Sequence, residues 1–371
     1  MGDYNVSKRL RVGVIGTGVI GQVMHLHFLR ELRDRFDITA LCDISLDSAR
    51  GCAEEYGVES VFTDWRELVR SPLDAVLVLT SGSHAPIAVE AARAGLHVFV
   101  EKPMCFSTTE ANEMMDAAAT AGVTLMVGYP KRYDRAFHRF RDEVARFDEP
   151  RLLRVTTTES SFLPYIGHYA LGSPGKVADD VLAPLRADAH DRLVSAIDTN
   201  DSFLLEQYQL VLLDTLVHEI NTVRGVLGEP QRLDYVDMRK GSLSVFLNYG
   251  SMTAAIHWID APEMTRYSME FSMFASSGRA TLTFPSPYLR NASTMLEIEG
   301  GSTHDVASWR REEVTSYESG FKEELVAFYD AVTGGLPVPT DGADGARDIA
   351  MCQAIIRCVQ QRAPIERPTE Y

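Results

Sequence analysis

Three short runs in this 371-residue chain combine residue types that could do chemistry together. Gly16-Thr17-Gly18-Val19-Ile20-Gly21 follows an apolar strand-like run and opens a helical pattern. There, Gly16 permits a tight turn, Gly18 lets the backbone approach a pyrophosphate and Gly21 lets the helix pack closely on the strand, so that the helix N-terminus faces the phosphates. Asp43 ends the next strand about 20 residues on, where an acid accepts hydrogen bonds from an adenosine ribose. A carboxylate at that point would repel a 2′-phosphate, and no arginine follows it directly, so these residues point to NAD over NADP. The second run, Glu101-Lys102-Pro103, closes the apolar stretch "HVFV" with a charged pair and a ring-locked residue. In the third, Asp214 and His218 stand four apart on a predicted helix and share one face.

Together these runs suit hydride transfer. Moving a hydride from an alcohol carbon to nicotinamide requires loss of the hydroxyl proton, so a base must stand within about 3 Å of that oxygen. His218 titrates nearest to neutrality among unperturbed side chains and is the expected base. Asp214 is expected to bind a substrate hydroxyl and orient the imidazole. Lys102 is expected to hydrogen-bond the reacting oxygen and stabilise its developing negative charge. Pro103 fixes φ and removes a donor, which aims the pair before it.

The elements that must position these residues are legible in the hydrophobic pattern. "LRVGVIG", "FDITALC", "DAVLVLT", "HVFVEKP" and "VTLMVGY" are continuous apolar strands. Helical spacing lies between them, over 19–32, about 46–56, and in "SHAPIAVEAARAG" and "STTEANEMMDAAATAG". Strands without polar alternation, linked by helices, predict a doubly wound parallel α/β sheet covered on both faces. In such a sheet the ligand sits beyond the carboxyl ends of the strands, where Glu101 and Lys102 emerge. After a predicted helix over 134–147 the pattern changes. "RLLRVTTTESS", "RLDYVDMR", "SLSVFLNYG", "SMTAAIHWI", "YSMEFSMFASSG" and "RATLTF" alternate as antiparallel strands do. The expected division is a dinucleotide-binding Rossmann domain over 1–133 and an α/β domain for substrate binding and oligomerisation over 134–371, closed by two helices. Between them, 162–201 is a long, poorly patterned segment, uncommon unless functional or partly helical.

Gly16 to Gly21 with Asp43, then "LTSGSHAPIAVEAARAGLHVFVEKP", "GYPKRYDRAF" and "LLDTLVHEINTVRGVLGEP", resemble the glucose-fructose oxidoreductase, inositol dehydrogenase and rhizopine-catabolism (Gfo/Idh/MocA) family over nearly the whole chain. The resemblance implies a Rossmann domain followed by an α/β domain with an open, mostly antiparallel sheet whose exposed face supports dimers or tetramers. It also implies oxidation or reduction of a secondary alcohol on a sugar, sugar derivative or cyclitol. By the same resemblance Lys102 reaches nicotinamide ribose and substrate hydroxyl, and Glu101 helps place the cofactor. Thr80, Ser81 and His84 would line the ribose and nicotinamide side, although the family usually carries proline where Ser81 and Gly82 occur. Lys131, Arg132 and Tyr133 match the segment entering the second domain, where substrate contacts are common and where Arg132 is the expected contact. Tyr165, His168 and His190 are further candidates for closing over substrate.

Composition excludes several other classes. With 45% hydrophobic and 24% charged residues the chain is an ordinary globular protein, long enough for two cores. A net charge of −16 disfavours a nucleic-acid or anionic-membrane surface, which leaves a small polyol or sugar as the expected partner. No run approaches a membrane span, and the N-terminal run lacks the features of a signal peptide. The five scattered cysteines have no C-x-x-C spacing and read as reduced thiols of a cytoplasmic protein. The ten histidines show no metal-ligand spacing, and with Lys102 supplying positive charge no metal is expected. Alternating strands containing Val245, Leu247 and Ile256 suggest a sheet with an apolar face left to cover, hence a homodimer or homotetramer. Two alternatives stand beside the dehydrogenase: a glycoside-cleaving enzyme that oxidises a sugar carbon transiently and returns the hydride, and a non-catalytic NAD-binding regulator. Intact Lys102, Asp214 and His218 argue against the regulator.

Overall fold

A computed structural model describes residues 8–172 and 175–361. Six strands, β1 (Leu10–Ile15), β2 (Phe36–Cys42), β3 (Ser60–Phe62), β4 (Ala75–Val78), β5 (His97–Glu101) and β6 (Leu125–Gly128), form one sheet in the order β3-β2-β1-β4-β5-β6. Every pair in it is parallel. The order reverses direction between β1 and β4, and that switch point is where a doubly wound sheet opens a crevice for a ligand. Val76, Leu77 and Val78 of β4 and Val98, Phe99 and Val100 of β5 are all fully buried, which is why these strands carry no polar alternation.

Helices cover both faces of this sheet. Ser45 caps the helix Leu46–Tyr56 by accepting from the Ser48 N–H, and Ser107 caps Thr108–Ala121 by accepting from Glu110 N–H. Both helices end on left-handed glycines, Gly57 and Gly122. The helix expected over 19–32 begins as a π-helical turn, Gly21–His25, and becomes α-helical only over Leu26–Glu31.

The second sheet has eight strands: β7 (Pro150–Glu159), β8 (Arg232–Arg239), β9 (Ser242–Asn248), β10 (Thr253–Asp260), β11 (Ser268–Ala275), β12 (Gly278–Phe284), β13 (Met295–Ser302) and β14 (Ala307–Val314). Their order is β14-β13-β12-β11-β7-β10-β9-β8, antiparallel throughout except for the central β7–β10 pair. Its inner face carries Leu153, Val155, Val245, Leu247, Ile256, Phe271 and Met273, all buried beneath helices that include Arg135–Val144 and Gly342–Gln360. This corrects the reason given for assembly, because Val245, Leu247 and Ile256 lie on the covered face. The open face is mixed instead, with the Arg154–Glu270 ion pair, Ser244 hydrogen-bonded to His257, and the partly exposed rings of Phe246 and Tyr235.

The two closing helices, Gly320–Gly334 and Gly342–Gln360, return to the parallel sheet. Phe321, Leu325 and Phe328 share a core with Val12, Val14 and Phe99, and Thr340 exchanges hydrogen bonds with both backbone groups of Val127. The segment 162–201 is largely helical, with a turn at Leu163–Ile166 and a helix over Asp179–Ile197. Its sequence pattern is poor because Leu193 and Ile197 alone on that helix are buried, so no apolar stripe forms.

Candidate active site

The Gly-rich turn has the geometry its sequence implies. Gly16 sits at φ +103°, and a Cβ there would meet the Leu79 carbonyl carbon at 2.7 Å. A Cβ on Gly21 would strike the Gly16 carbonyl oxygen at 2.9 Å. Gly18 differs: nothing lies within 4 Å of the position its Cβ would occupy, so the backbone there faces open space. Two glycines make the turn and one leaves room for a ligand, as a pyrophosphate cradle requires. Val19 and Ile20 continue the turn, partly exposed. Asp43 is drawn onto the same loop, accepting from the Thr17 N–H at 2.8 Å, the Thr17 hydroxyl at 3.0 Å and the Ser45 N–H at 2.9 Å. The residues thus fit a dinucleotide, whose phosphates Gly18 would leave room for and whose ribose Asp43 would meet.

At the end of β5 the charged pair divides. Glu101 turns back into the core, where its Oε1 lies 2.6 Å from His25 Nε2 and its Oε2 accepts the Lys102 backbone N–H at 3.0 Å. Burial opposes its charge, but His25 and Lys102 outweigh that and hold its carboxyl below the usual range. Glu101 therefore braces the turn from behind, rather than facing a cofactor. Beside it lies Glu324 on the helix Gly320–Gly334, fully buried with neither oxygen hydrogen-bonded; burial and the Glu101 charge push its carboxyl well up. His25, Glu101 and Glu324 place their polar atoms within 4.8 Å of one another, a grouping that no sequence spacing announced.

Lys102 goes the other way. Its Nζ donates to the Asp214 carbonyl at 2.5 Å and to Asp214 Oδ1 at 2.9 Å, across 112 positions of sequence. Desolvation works against its charge, but Asp214 and Glu101 raise its pKa, so it is a fixed cation and donor. Asp214 lies in a π-helical stretch, Gln207–Leu216, immediately before the α-helix Val217–Leu227 that carries His218. The wider π turn presents Asp214 to Lys102, and Asp214 and His218 share no hydrogen bond. This corrects the expectation that Asp214 orients the imidazole, since its carboxylate holds Lys102.

His218 is half-buried against the Tyr129 ring, with its Nδ1 buried and unpartnered, which leaves Nε2 open to the cleft. Burial, followed by the charges of Lys131 and Lys102, drives its pKa well below that of ordinary histidine. The imidazole is thus neutral and able to accept a proton throughout the neutral range. An activity rise from His218's own titration near pH 6.5 is therefore not expected, which revises the sequence-based view of it as a group poised near neutrality.

Other expected contacts are placed differently. Arg132 turns away from the cleft, bonded to Asn221 and to Asp344 at 3.4 Å. Its neighbour Lys131 is the one that faces the site, buried, with Nζ 5.9 Å from the centre of the Phe284 ring. Tyr133 is buried and bonded to Thr340. His84 is fully buried, its ring nitrogens 2.7 Å from the Pro103 carbonyl and 2.6 Å from the Thr80 carbonyl, so it clasps two strand-end turns together. Thr80 is half-buried at the mouth of that clasp, and Ser81 is exposed next to it. His168 stacks on Tyr169 and lines a groove with His27 and Arg290, and His190 is exposed on Asp179–Ile197; neither joins Lys102. Tyr165 accepts from the Tyr267 N–H and donates to the Thr265 carbonyl, tying the segment after β7 to the loop before β11.

Sequence reasoning passed over two carboxyl groups. Glu219, adjacent to His218, is fully buried, accepts from the Thr157 hydroxyl at 2.5 Å through Oε1 and has an unpartnered Oε2. Burial raises its pKa. Glu159, at the end of β7, is pushed up to about 7 by burial and then by the Glu219 charge. An acid directly after the histidine in "VHEIN" was the available signal, although adjacent helical positions do not normally share a face.

Comparison with known proteins bears on the family and the fold. Residues 10–129 match the family described as oxidoreductase family, NAD-binding Rossmann fold. The myo-inositol 2-dehydrogenase of Thermotoga maritima is 24% identical over 376 residues, covering 96% of this chain and 98% of that one. A levoglucosan dehydrogenase solved with NADH and levoglucosan superposes with a TM-score of 0.73 at 17% identity, covering 95% and 98% of the two chains. A 3-ketoreductase from Actinomadura kijaniata solved with NADP gives 0.71 at 20% identity, covering 94% and 97%. At these identities the two structures speak for the fold.

Proposed function

From a chain that belongs to the Gfo/Idh/MocA oxidoreductases, with its NAD-binding Rossmann domain over 10–129, we propose an enzyme that moves a hydride between NAD and a secondary alcohol of a sugar, sugar derivative or cyclitol. The observation that carries this reading is the Lys102–Asp214 pair, 2.9 Å across, at the carboxyl end of the parallel sheet, with Asp214 about one helical turn before His218. The nicotinamide ring, when bound, supplies the hydride acceptor. Lys102 donates to the substrate oxygen, which lowers the cost of negative charge there as the O–H bond breaks. His218 accepts the hydroxyl proton at Nε2. Glu101 and His84 hold the backbone from which Lys102 projects. Asp43, already engaged with the Gly-rich loop, supports NAD over NADP because its charge would oppose a 2′-phosphate.

The direct test is the appearance of NADH over a panel of inositols, free sugars, glycosides and nucleotide sugars. Oxidation of at least one, with NAD preferred to NADP, is the expected result; a panel with no oxidation and no NAD binding would refute the reading. Assembly as a homodimer or homotetramer through the open face of the second sheet belongs to the same proposal. A monomeric mass by light scattering at micromolar concentration would refute that part.

A further inference from the structure

Lys131 has no role in the reaction as described so far, yet it stands at the centre of the buried charges. It is 8% exposed, enters from the turn Pro130–Tyr133, and makes no hydrogen bond or ion pair among the described residues. The charges that bear on it come from four elements: Glu219 on the helix Val217–Leu227, Lys102 and Glu101 at the end of β5, Glu159 at the end of β7 and Glu324 on the helix Gly320–Gly334. The turn that carries Lys131 packs against the helix that carries His218, and the His218 ring meets the Tyr129 ring, two residues before Lys131, edge-on at 6.0 Å between centroids; the Lys131 charge also disfavours protonation of that imidazole. The histidine, for its part, has no acid on Nδ1 to stabilise it once protonated. A neutral imidazole facing two lysines is a poor final resting place for a proton.

We propose, resting on the dehydrogenase reading, that Lys131 and His218 together hold a single proton, so that His218 accepts the substrate's hydroxyl proton when Lys131 is uncharged and Lys131 sets the pH dependence of alcohol oxidation. In the step, the substrate C–H and O–H bonds break and the C=O double bond forms. The hydride pair leaves for the oxidised nicotinamide, and the proton goes to His218 Nε2 and is stabilised there because Lys131 carries no charge. Lys131 is thus a positioning residue that acts through the histidine. Burial, only partly offset by the Glu219 charge, lowers its pKa from the ordinary lysine value to about 8. Near pH 7 most molecules carry the charged form, and the uncharged form becomes dominant above pH 8.

Two measurements test this, and the first needs no substrate or cofactor. In free protein, the imidazole titration of His218 followed by NMR should move up by about one unit in Lys131→Met and stay low in Lys131→Arg, because one like charge at several ångströms is worth roughly that much. With six lysines in the chain, labelled lysine should show one signal titrating near pH 8 that disappears in Lys131→Arg. In the second, the deuterium-sensitive rate of oxidation should rise with pH through an inflection near 8 in the natural protein. Lys131→Arg, which preserves the charge at every pH, should remove the inflection and lower the plateau at least tenfold. Lys131→Met should remove it while being faster than the arginine variant at pH 6–7. An unchanged His218 titration in both variants, or a retained inflection in Lys131→Arg, would overturn the inference while leaving the dehydrogenase reading intact. Failure to oxidise any substrate would count against that reading alone, since the NMR titrations would still decide the role of Lys131.

Discussion

Two buried polar clusters lie on either side of the helix Val217–Leu227, and they are built on opposite principles. In the first, Arg224 is paired with Glu229 at 2.6 Å, Asp344 at 3.0 Å and Asp348; Asn221 bonds both aspartates, and Arg132 and Arg347 close the outside. No polar side-chain atom of these seven is left buried without a partner. In the second, among the described residues, the buried Lys131 has no ion pair, and His218 Nδ1 and Glu219 Oε2 are buried with no partner. Buried polar groups are normally satisfied because an unmade hydrogen bond costs about 1–3 kcal/mol. A saturated cluster fixes the helices against one another. An unsaturated one keeps proton affinities displaced, which is what acid-base chemistry at neutral pH requires. Two residues apart on one helix, Glu219 and Asn221 thus fall in the unsaturated and the saturated cluster respectively.

That contrast can be broken in several places. The largest effect on stability is expected at the saturated cluster: Arg224→Met strands Asp344 and Asp348 in the interior and should cost about 3–5 kcal/mol in chemical denaturation. If it were neutral, the cluster would not be scaffold. At Lys102, and at His218 in the unsaturated cluster, the loss should instead fall on turnover. Lys102→Ala or His218→Ala should slow the hydride step by about 10² or more with cofactor binding nearly intact, checked by single-turnover kinetics and NAD titration. A His218 variant with natural single-turnover rates would show that the proton leaves by another route. Asp214→Asn should slow turnover about tenfold, through weaker charge assistance to Lys102. The smallest effect concerns Asp43→Ala, which should narrow the preference for NAD over NADP several-fold in fluorescence titrations, consistent with the loss of hydrogen bonds to the ribose.

A further comparison uses pH. Burial raises the Asp348 carboxyl to about 7 even with Arg224 present. Between its unfolded value near 4 and about 7 the folded state keeps a proton that the unfolded chain has released, so its contribution to stability is full at low pH and is lost as pH rises to 7. Denaturation of the natural protein and of Asp348→Asn over pH 4–8 should therefore diverge in slope through that window. Parallel curves would show that Asp348 is ionised in the fold throughout.

Much of this was legible from residue order. The β2 strand Phe36–Cys42, the helix Leu46–Tyr56 and the β8 strand Arg232–Arg239 lie where the hydrophobic pattern puts them, because their patterns are set by the two environments, buried and exposed, that each element spans. The Gly16–Gly21 turn with Asp43 was equally readable, since a glycine at φ +103° and a backbone passing an open space are local requirements. Three-residue β3 and the last two strands, β13 and the edge strand β14, were not anticipated: the first is too short to show a period, and β14 is exposed almost throughout, so it alternates nothing.

What only the tertiary structure decided is which charged group faces which. Glu101 and Lys102 are neighbours in sequence, yet the chain sends one into the core toward His25 and the other across the cleft to Asp214. Lys131 and Arg132 divide in the same way, with the lysine toward the site and the arginine into the saturated cluster. Successive residues at a strand end or in a tight turn point in different directions, and what each one meets comes from elements tens to hundreds of positions away. Residue types and spacing therefore established a dinucleotide fold and named the candidates for proton transfer. The charge state of each group, with His218 neutral, Lys102 a fixed cation and Lys131 near its midpoint at about 8, follows from burial and from charges that only folding brings together.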